Sequence, residues 1–120
     1  MPCDPFPPAP GHSTRCAVDV ALAVIAGKWK PRILAALGER TRRFRELERC
    51  LSRISRKVLV EQLRELESDG MVERRAYPQV PPRVEYSLSA AGARALPVLR
   101  ALEELGLSMM AEPGASRRSA

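Results

Sequence analysis

Leucine, isoleucine and valine recur in this chain at intervals that change several times, and each change marks the edge of an element. Val18, Leu22 and Ile25, with Ala21 beside them, follow helical spacing, and Gly27 is placed to end that helix. A second helix starts near Pro31, a residue suited to the first turn, and carries Ile33, Leu34 and Leu37 ahead of Gly38. Residues 39–43 are polar and basic and read as a turn holding at most a short strand. Phe44, Leu47 and Leu51 then stand at i, i+3 and i+7, which predicts a third helix of about two turns. Ser52-Arg53-Ile54 breaks the period. Ser55 is a good N-cap for a fourth helix with Leu59, Leu63 and Leu66 on one stripe, and Asp69-Gly70 stops it.

After Gly70 the period shortens to two. Residues 72–76 and 84–88 read as paired strands, with Val84, Tyr86 and Leu88 on one face. The segment between them, residues 77–83, is too long and too rich in proline for a two-residue hairpin and predicts a protruding loop with Arg83 as its basic tip. Ser89 can cap a last helical stretch running to about Met110, with Leu96, Leu99, Leu102 and Leu105 apolar. Pro97 must kink that stretch or begin a new helix. The tails differ in kind. Residues 1–14 hold five prolines and predict a flexible tail, residues 15–111 a single domain, and residues 112–120 a frayed end.

A short helix, a tight turn, a capped longer helix and a hairpin with a long loop make a helix-turn-helix followed by a wing. The expected fold class is therefore mainly α with a small β-hairpin wing (α+β). This geometry suits duplex DNA, because a helix fits the major groove while the loop reaches toward the minor groove. At about 100° per residue, Leu63 and Leu66 lie within about 40° of Leu59 and face inward. Lys57, Val60, Glu61 and Arg64 fall on the far side, with Arg56 on the shoulder and Gln62 near the core stripe. Ser55, Arg56 and Lys57 open the helix, where backbone N–H groups and cations meet phosphates and base edges. The expected DNA face adds Arg83 in the loop, Arg74 and Arg75 on the adjoining strand, and Arg42 and Arg43 ahead of the third helix. Pro78, Pro81 and Pro82 stiffen the loop or simply shape it. Trp29, Tyr77 and Tyr86 read as packing residues.

Composition supports this reading. Across 120 residues, 20 lysines and arginines face 14 acidic residues, a net charge of +6, and residues 28–83 alone hold 15 basic against 8 acidic side chains. A basic surplus in the middle of a small domain points to a polyanion. At 45% apolar and 28% charged the chain is of globular composition. No apolar run reaches the ~20 residues of a membrane span, and the proline-rich start lacks the form of a secretory signal. A cytoplasmic protein is expected. The first and last helices carry more apolar surface than one small chain could easily bury, which predicts a homodimer through them. No cofactor and no metal site are expected. An enzyme is disfavoured because there is no glycine-rich phosphate loop, no convincing nucleophile–base pair, and His12, the sole histidine, sits in the tail. The alternative is a winged-helix protein-interaction module, which would expose apolar anchors on the fourth helix.

Three scattered cysteines form no disulfide framework. Cys16 heads the first helix beside Arg15, where the helix dipole favours the thiolate, and Cys50 lies near the apolar stripe of the third helix. Two readings stay open. Cys16 could couple oxidants or electrophiles to DNA affinity, with Cys50 of a second subunit as its partner, or both cysteines could be small buried hydrophobes.

Many of these residues form a spaced series. Cys16 opens the first helix, followed by Gly27-Lys28-Trp29-Lys30, Arg43-Phe44-x-Glu46-Leu47 and Ile54-Ser55-x-Lys57-x-Leu59. Then come Gln62-Leu63-Arg64-Glu65-Leu66-Glu67-x-Asp69-Gly70-Met71-Val72, Pro82-x-Val84-Glu85-Tyr86-Ser87-Leu88, Gly92 and Leu96-Pro97. From Cys16 to about Gly106 the chain resembles the HxlR family of winged-helix regulators, a branch near the MarR-type repressors. The resemblance implies a homodimeric bacterial transcription regulator with terminal helices at the dimer interface, some relatives of which sense oxidants or aldehydes through the cysteine matched by Cys16. Ala17 stands where that family commonly has proline, Arg53 where it has a small turn residue, and Leu105 where it has an aromatic residue.

Overall fold

A computed structural model describes residues 16–111; the predicted tails and His12 lie outside them. Five helices and a three-stranded sheet follow one another as α1 (Ala17–Ile25), α2 (Lys30–Glu39), β1 (Arg42–Arg43), α3 (Phe44–Cys50), α4 (Arg56–Ser68), β2 (Val72–Tyr77), β3 (Arg83–Leu88) and α5 (Ala90–Ala111). The sheet has the order β1-β3-β2 and is antiparallel throughout. The predicted short strand at residues 42–43 thus becomes the third strand, laid against the hairpin.

Local chemistry explains the boundaries. Cys16 caps α1, its Sγ accepting from the Asp19 N–H at 3.4 Å. Pro31 sits in the first turn of α2, where its missing N–H leaves no bond unmade. Ser55 caps α4 through its Oγ, which accepts from the Val58 N–H at 3.1 Å. At the far end of α4 the chain turns left-handed at Gly70, with φ +76°, a conformation glycine adopts without strain.

Leu59, Leu63 and Leu66 of α4 meet Ile33 and Leu34 of α2 and Leu47 of α3 in the core, all essentially without exposure. Burying each stabilises the fold by about 1.5–3 kcal/mol relative to leaving it in water. Tyr86 and Val72 close the core from the sheet, and Trp29 packs on it half-buried. Ser89 ties α5 to the end of α4: its hydroxyl donates to the Gly70 carbonyl at 2.5 Å and accepts from the Gly92 N–H at 3.0 Å. A Cβ at Gly92 would lie 2.1 Å from the Met71 carbonyl oxygen, so this crossing requires glycine.

Of the two readings of Pro97, the start of a new helix is ruled out: α5 runs continuously through it. Proline removes one backbone donor there, yet Ala95 and Leu99 on either side hold the helix against the core. The hairpin loop is also shorter than predicted, because Tyr77 and Arg83 pair with each other as the last rungs of the ladder.

Candidate nucleic-acid interface

Helix α4 presents its polar face outward as its wheel predicts. Lys57, Glu61 and Arg64 are exposed, Val60 is half-buried, and the three leucines point inward. Neither Lys57 nor Arg64 has an ion pair among the described residues. Arg56 differs. Its guanidinium binds the Glu48 carboxylate of α3 through two contacts of 3.2 Å and lies 5.6 Å from the Phe44 ring centroid. That hydrogen bonding raises its pKa above the ordinary value. Ser55 has its oxygen engaged as the cap, leaving the O–H free to donate.

The strand cations separate by the alternation of the pleat. Val72, Arg74 and Ala76 pair with Leu88, Tyr86 and Val84, so Arg74 shares the face that looks toward α4. Arg56, Val60, Arg64 and Arg74 together line a groove of about 540 Å³ between α4 and the sheet, floored by Tyr86 and Val84. Arg75 lies on the opposite face, where hydrogen bonding with Tyr77 raises its pKa. It does not converge with Arg74.

Three predicted positions are corrected. Arg42 is buried rather than exposed: its Nε donates to the Ala36 carbonyl at 2.9 Å and its guanidinium pairs with Glu39, so it fastens β1 to α2. Arg83 is not the tip of the wing. It stands just below the tip, in the last rung of the ladder, paired with Glu85 at 2.8 Å and stacked 4.5 Å from the Tyr77 ring centroid, with its Nε buried and unpartnered. The tip itself, residues 78–82, carries no cation, and Val80 there is 98% exposed. Cys50 is exposed at the end of α3 rather than set in an apolar stripe, because the helix stops there; Cys16 is buried.

Other functional candidates escaped the sequence reading. Arg45 lines a second cleft of about 380 Å³ with Arg43, Arg56, Gln79 and Arg83, between the start of α3 and the loop of the wing. Its position off the Phe44/Leu47/Leu51 stripe was a usable signal. Arg43 is exposed there, while its N–H donates to Glu46 Oε1 at 2.8 Å. Lys30, buried, pairs with Glu65 at 2.6 Å and joins α2 to α4; no local spacing announces it.

The same elements, in this order, match the family model of the HxlR-like helix-turn-helix over residues 24–113. The chain belongs to the HxlR-like helix-turn-helix family. It is 46% identical over 91 residues to an uncharacterized HTH-type transcriptional regulator of Methanothermobacter thermautotrophicus, covering 76% of this chain and 70% of that one. Among solved structures, the redox regulator HypR in its oxidized form superposes with a TM-score of 0.73 at 43% identity, covering 78% of this chain and 96% of that one. The HTH-type transcriptional regulator ytcD superposes at 0.75 with 43% identity, covering 80% and 98%. This HxlR-family protein is accordingly a transcriptional regulator with a DNA-binding helix-turn-helix, not an enzyme, and its fold is the mainly helical α+β winged helix. Among its described residues no helix is long and apolar enough to cross a membrane.

Proposed function

We propose that this HxlR-family regulator acts in the cytoplasm as a homodimer that binds a pseudo-palindromic operator and represses transcription. The reading rests above all on the outward face of α4, where Lys57 and Arg64 stand in solvent without carboxylate partners and Arg74 faces them across a groove. A protein-docking face would offer large aromatic or aliphatic anchors, whereas the apolar groups flanking this one are only the half-buried Val58 and Val60. On this reading Ser55, Arg56, Lys57, Val60, Glu61 and Arg64 meet the major groove and its phosphates, and Arg43 and Arg74 the flanking backbone. Arg75 and Arg83 have lesser parts.

Dimerisation is supported by apolar surface left open at both ends of the chain. Val18 and Leu22 of α1 and Leu102, Leu105, Leu107 and Met110 of α5 are all exposed. Two recognition helices related by a two-fold axis would read half-sites about 10 bp apart, centre to centre. An oxidant or electrophile response at Cys16 is supported by its place at the head of α1 and by likeness to HypR, a redox regulator. Joining Cys16 to Cys50 of a second copy would release two protons and two electrons to the oxidant.

One titration tests the whole reading. Fluorescently labelled DNA from the intergenic region upstream of the gene is titrated with the protein at several salt concentrations, before and after diamide. Binding of two chains per site is expected, weakening on the order of a thousandfold between about 50 and 200 mM salt for six or more phosphate contacts. Diamide should shift the affinity of the parent but not of Cys16→Ser. A flat salt profile removes the DNA reading, one chain per site the dimer, and an unchanged affinity after diamide the redox response.

A further inference from the structure

The chain enters the left-handed region at three described positions, Gly27, Gly70 and Arg53. Two are glycine, as steric considerations favour. The third is arginine. Arg53 and Gly70 bracket α4 with nearly the same φ, +77° and +76°, so the two ends of one helix solve the same backbone problem with opposite residues. The turn around Arg53 is pinned: Leu51 is buried, Ile54 is half-buried against the core, and the Ile54 N–H donates to the Leu51 carbonyl at 3.2 Å. The backbone therefore cannot relax without dislodging the turn that sets α3 against α4.

A Cβ in this region is disfavoured, and a bulky side chain without a compensating contact persists only when something else requires it. Among the described residues Arg53 makes no hydrogen bond and no ion pair, and its side chain is exposed. Nothing inside the molecule offsets the strain. Meanwhile Arg56, the first residue of α4, has its charge met by Glu48. Arg53 and Lys57, near that same end of α4, make no ion pair among the described residues.

We propose that Arg53 is a DNA-backbone contact, its guanidinium carried by the strained turn to a phosphate beside the start of α4. The inference rests on the DNA-binding reading and adds to it a residue whose presence lowers stability and raises affinity. Glycine at this position would relieve the strain and remove the cation together.

The test uses the full-length chain and a mixed-sequence 30-bp duplex, since a phosphate contact does not depend on sequence. Arg53→Gly is expected to melt at a higher temperature than the parent, bind several-fold more weakly, and show a salt slope smaller by about one per protomer. Arg53→Lys should keep most of the slope without the gain in melting temperature. If Arg53→Gly binds with the parent's affinity and slope while Arg64→Ala binds more weakly, the contact is overturned and the DNA-binding reading stands. If the parent itself shows no salt-dependent binding, that reading fails and takes the contact with it.

Discussion

Helix α4 and the β2–β3 hairpin are both rich in cations, but they hold them differently. On α4, Lys57 and Arg64 stand in solvent and make no ion pair among the described residues. On the hairpin, Arg83 is bound to Glu85 and stacked on Tyr77, while Arg75 lies on the face turned from α4. A paired guanidinium is held in place but adds little net field, whereas a free one attracts phosphate at range and can be reorganised around it. On the proposed reading the two regions contribute differently: charge from the helix, and shape from a wing whose proline-rich tip carries an exposed valine. Formal charge along the sequence does not reveal this division.

The sharpest test substitutes one cation of each kind. Arg64→Ala and Lys57→Ala should each lower operator affinity by about 1–3 kcal/mol if the side chain meets a base, and reduce the salt slope by about one if it meets a phosphate. The two together should give the largest loss, with little change in melting temperature. Arg83→Ala should do the reverse. It removes a stacked, ion-paired side chain from the loop end of the hairpin, so the melting temperature falls while the salt slope stays close to that of the parent. Parallel melts and titrations decide it, and equal slope losses for Arg64→Ala and Arg83→Ala would erase the distinction between helix and wing.

How much of this was legible beforehand follows the range of the interactions. The Ser55 cap, the leucine stripe of α4 and the Gly70 stop are set by residues three or four apart, and a single pass along the chain finds them. The strands and Tyr86 follow from a period of two, which also places Arg74 and Arg75 on opposite faces. The pairings Arg42 with Glu39 and the Ala36 carbonyl, Arg56 with Glu48, and Lys30 with Glu65 are different. Each depends on which groups the fold brings near a cation, and an arginine bound inside the protein has the same letter as one facing a duplex. The outward face of α4 is fixed by helical geometry alone, whereas Arg42 and Arg83 lie elsewhere than expected because carboxylates and carbonyls from neighbouring segments decide.

A middle-sized effect is expected at the tip of the wing. Val80, flanked by Gln79 and Pro81, is nearly fully exposed, and no cation lies within residues 78–82. If the wing acts by shape, Val80→Ser should weaken operator binding several-fold with an unchanged salt slope, because an apolar contact in the minor groove is lost and no phosphate contact with it. Val80→Lys should steepen the slope and make the tip behave like the helix. Titrations at three salt concentrations separate the two outcomes, and an unchanged affinity for Val80→Ser would show that the tip stays clear of the duplex.

The smallest effect probes the seam between the two regions. Arg43 belongs to β1, paired with Glu85 of the hairpin, and it is also the N-cap residue of α3, where its N–H donates to Glu46. That backbone hydrogen bond, helped by Arg40 at 3.1 Å, holds the Glu46 carboxyl below its ordinary 4.5. A carboxyl whose pKa is lower folded than unfolded binds protons more readily when the chain unfolds. Its contribution to stability is thus complete above about 4.5 and is lost as pH falls through the lower folded value. Glu46→Gln should melt slightly below the parent at neutral pH and lose less on acidification past 4.5, other carboxylates still contributing to both. If helix and wing are joined here, operator affinity should fall in step with this small loss; if the melting curves of parent and variant run parallel through acid, the seam lies elsewhere.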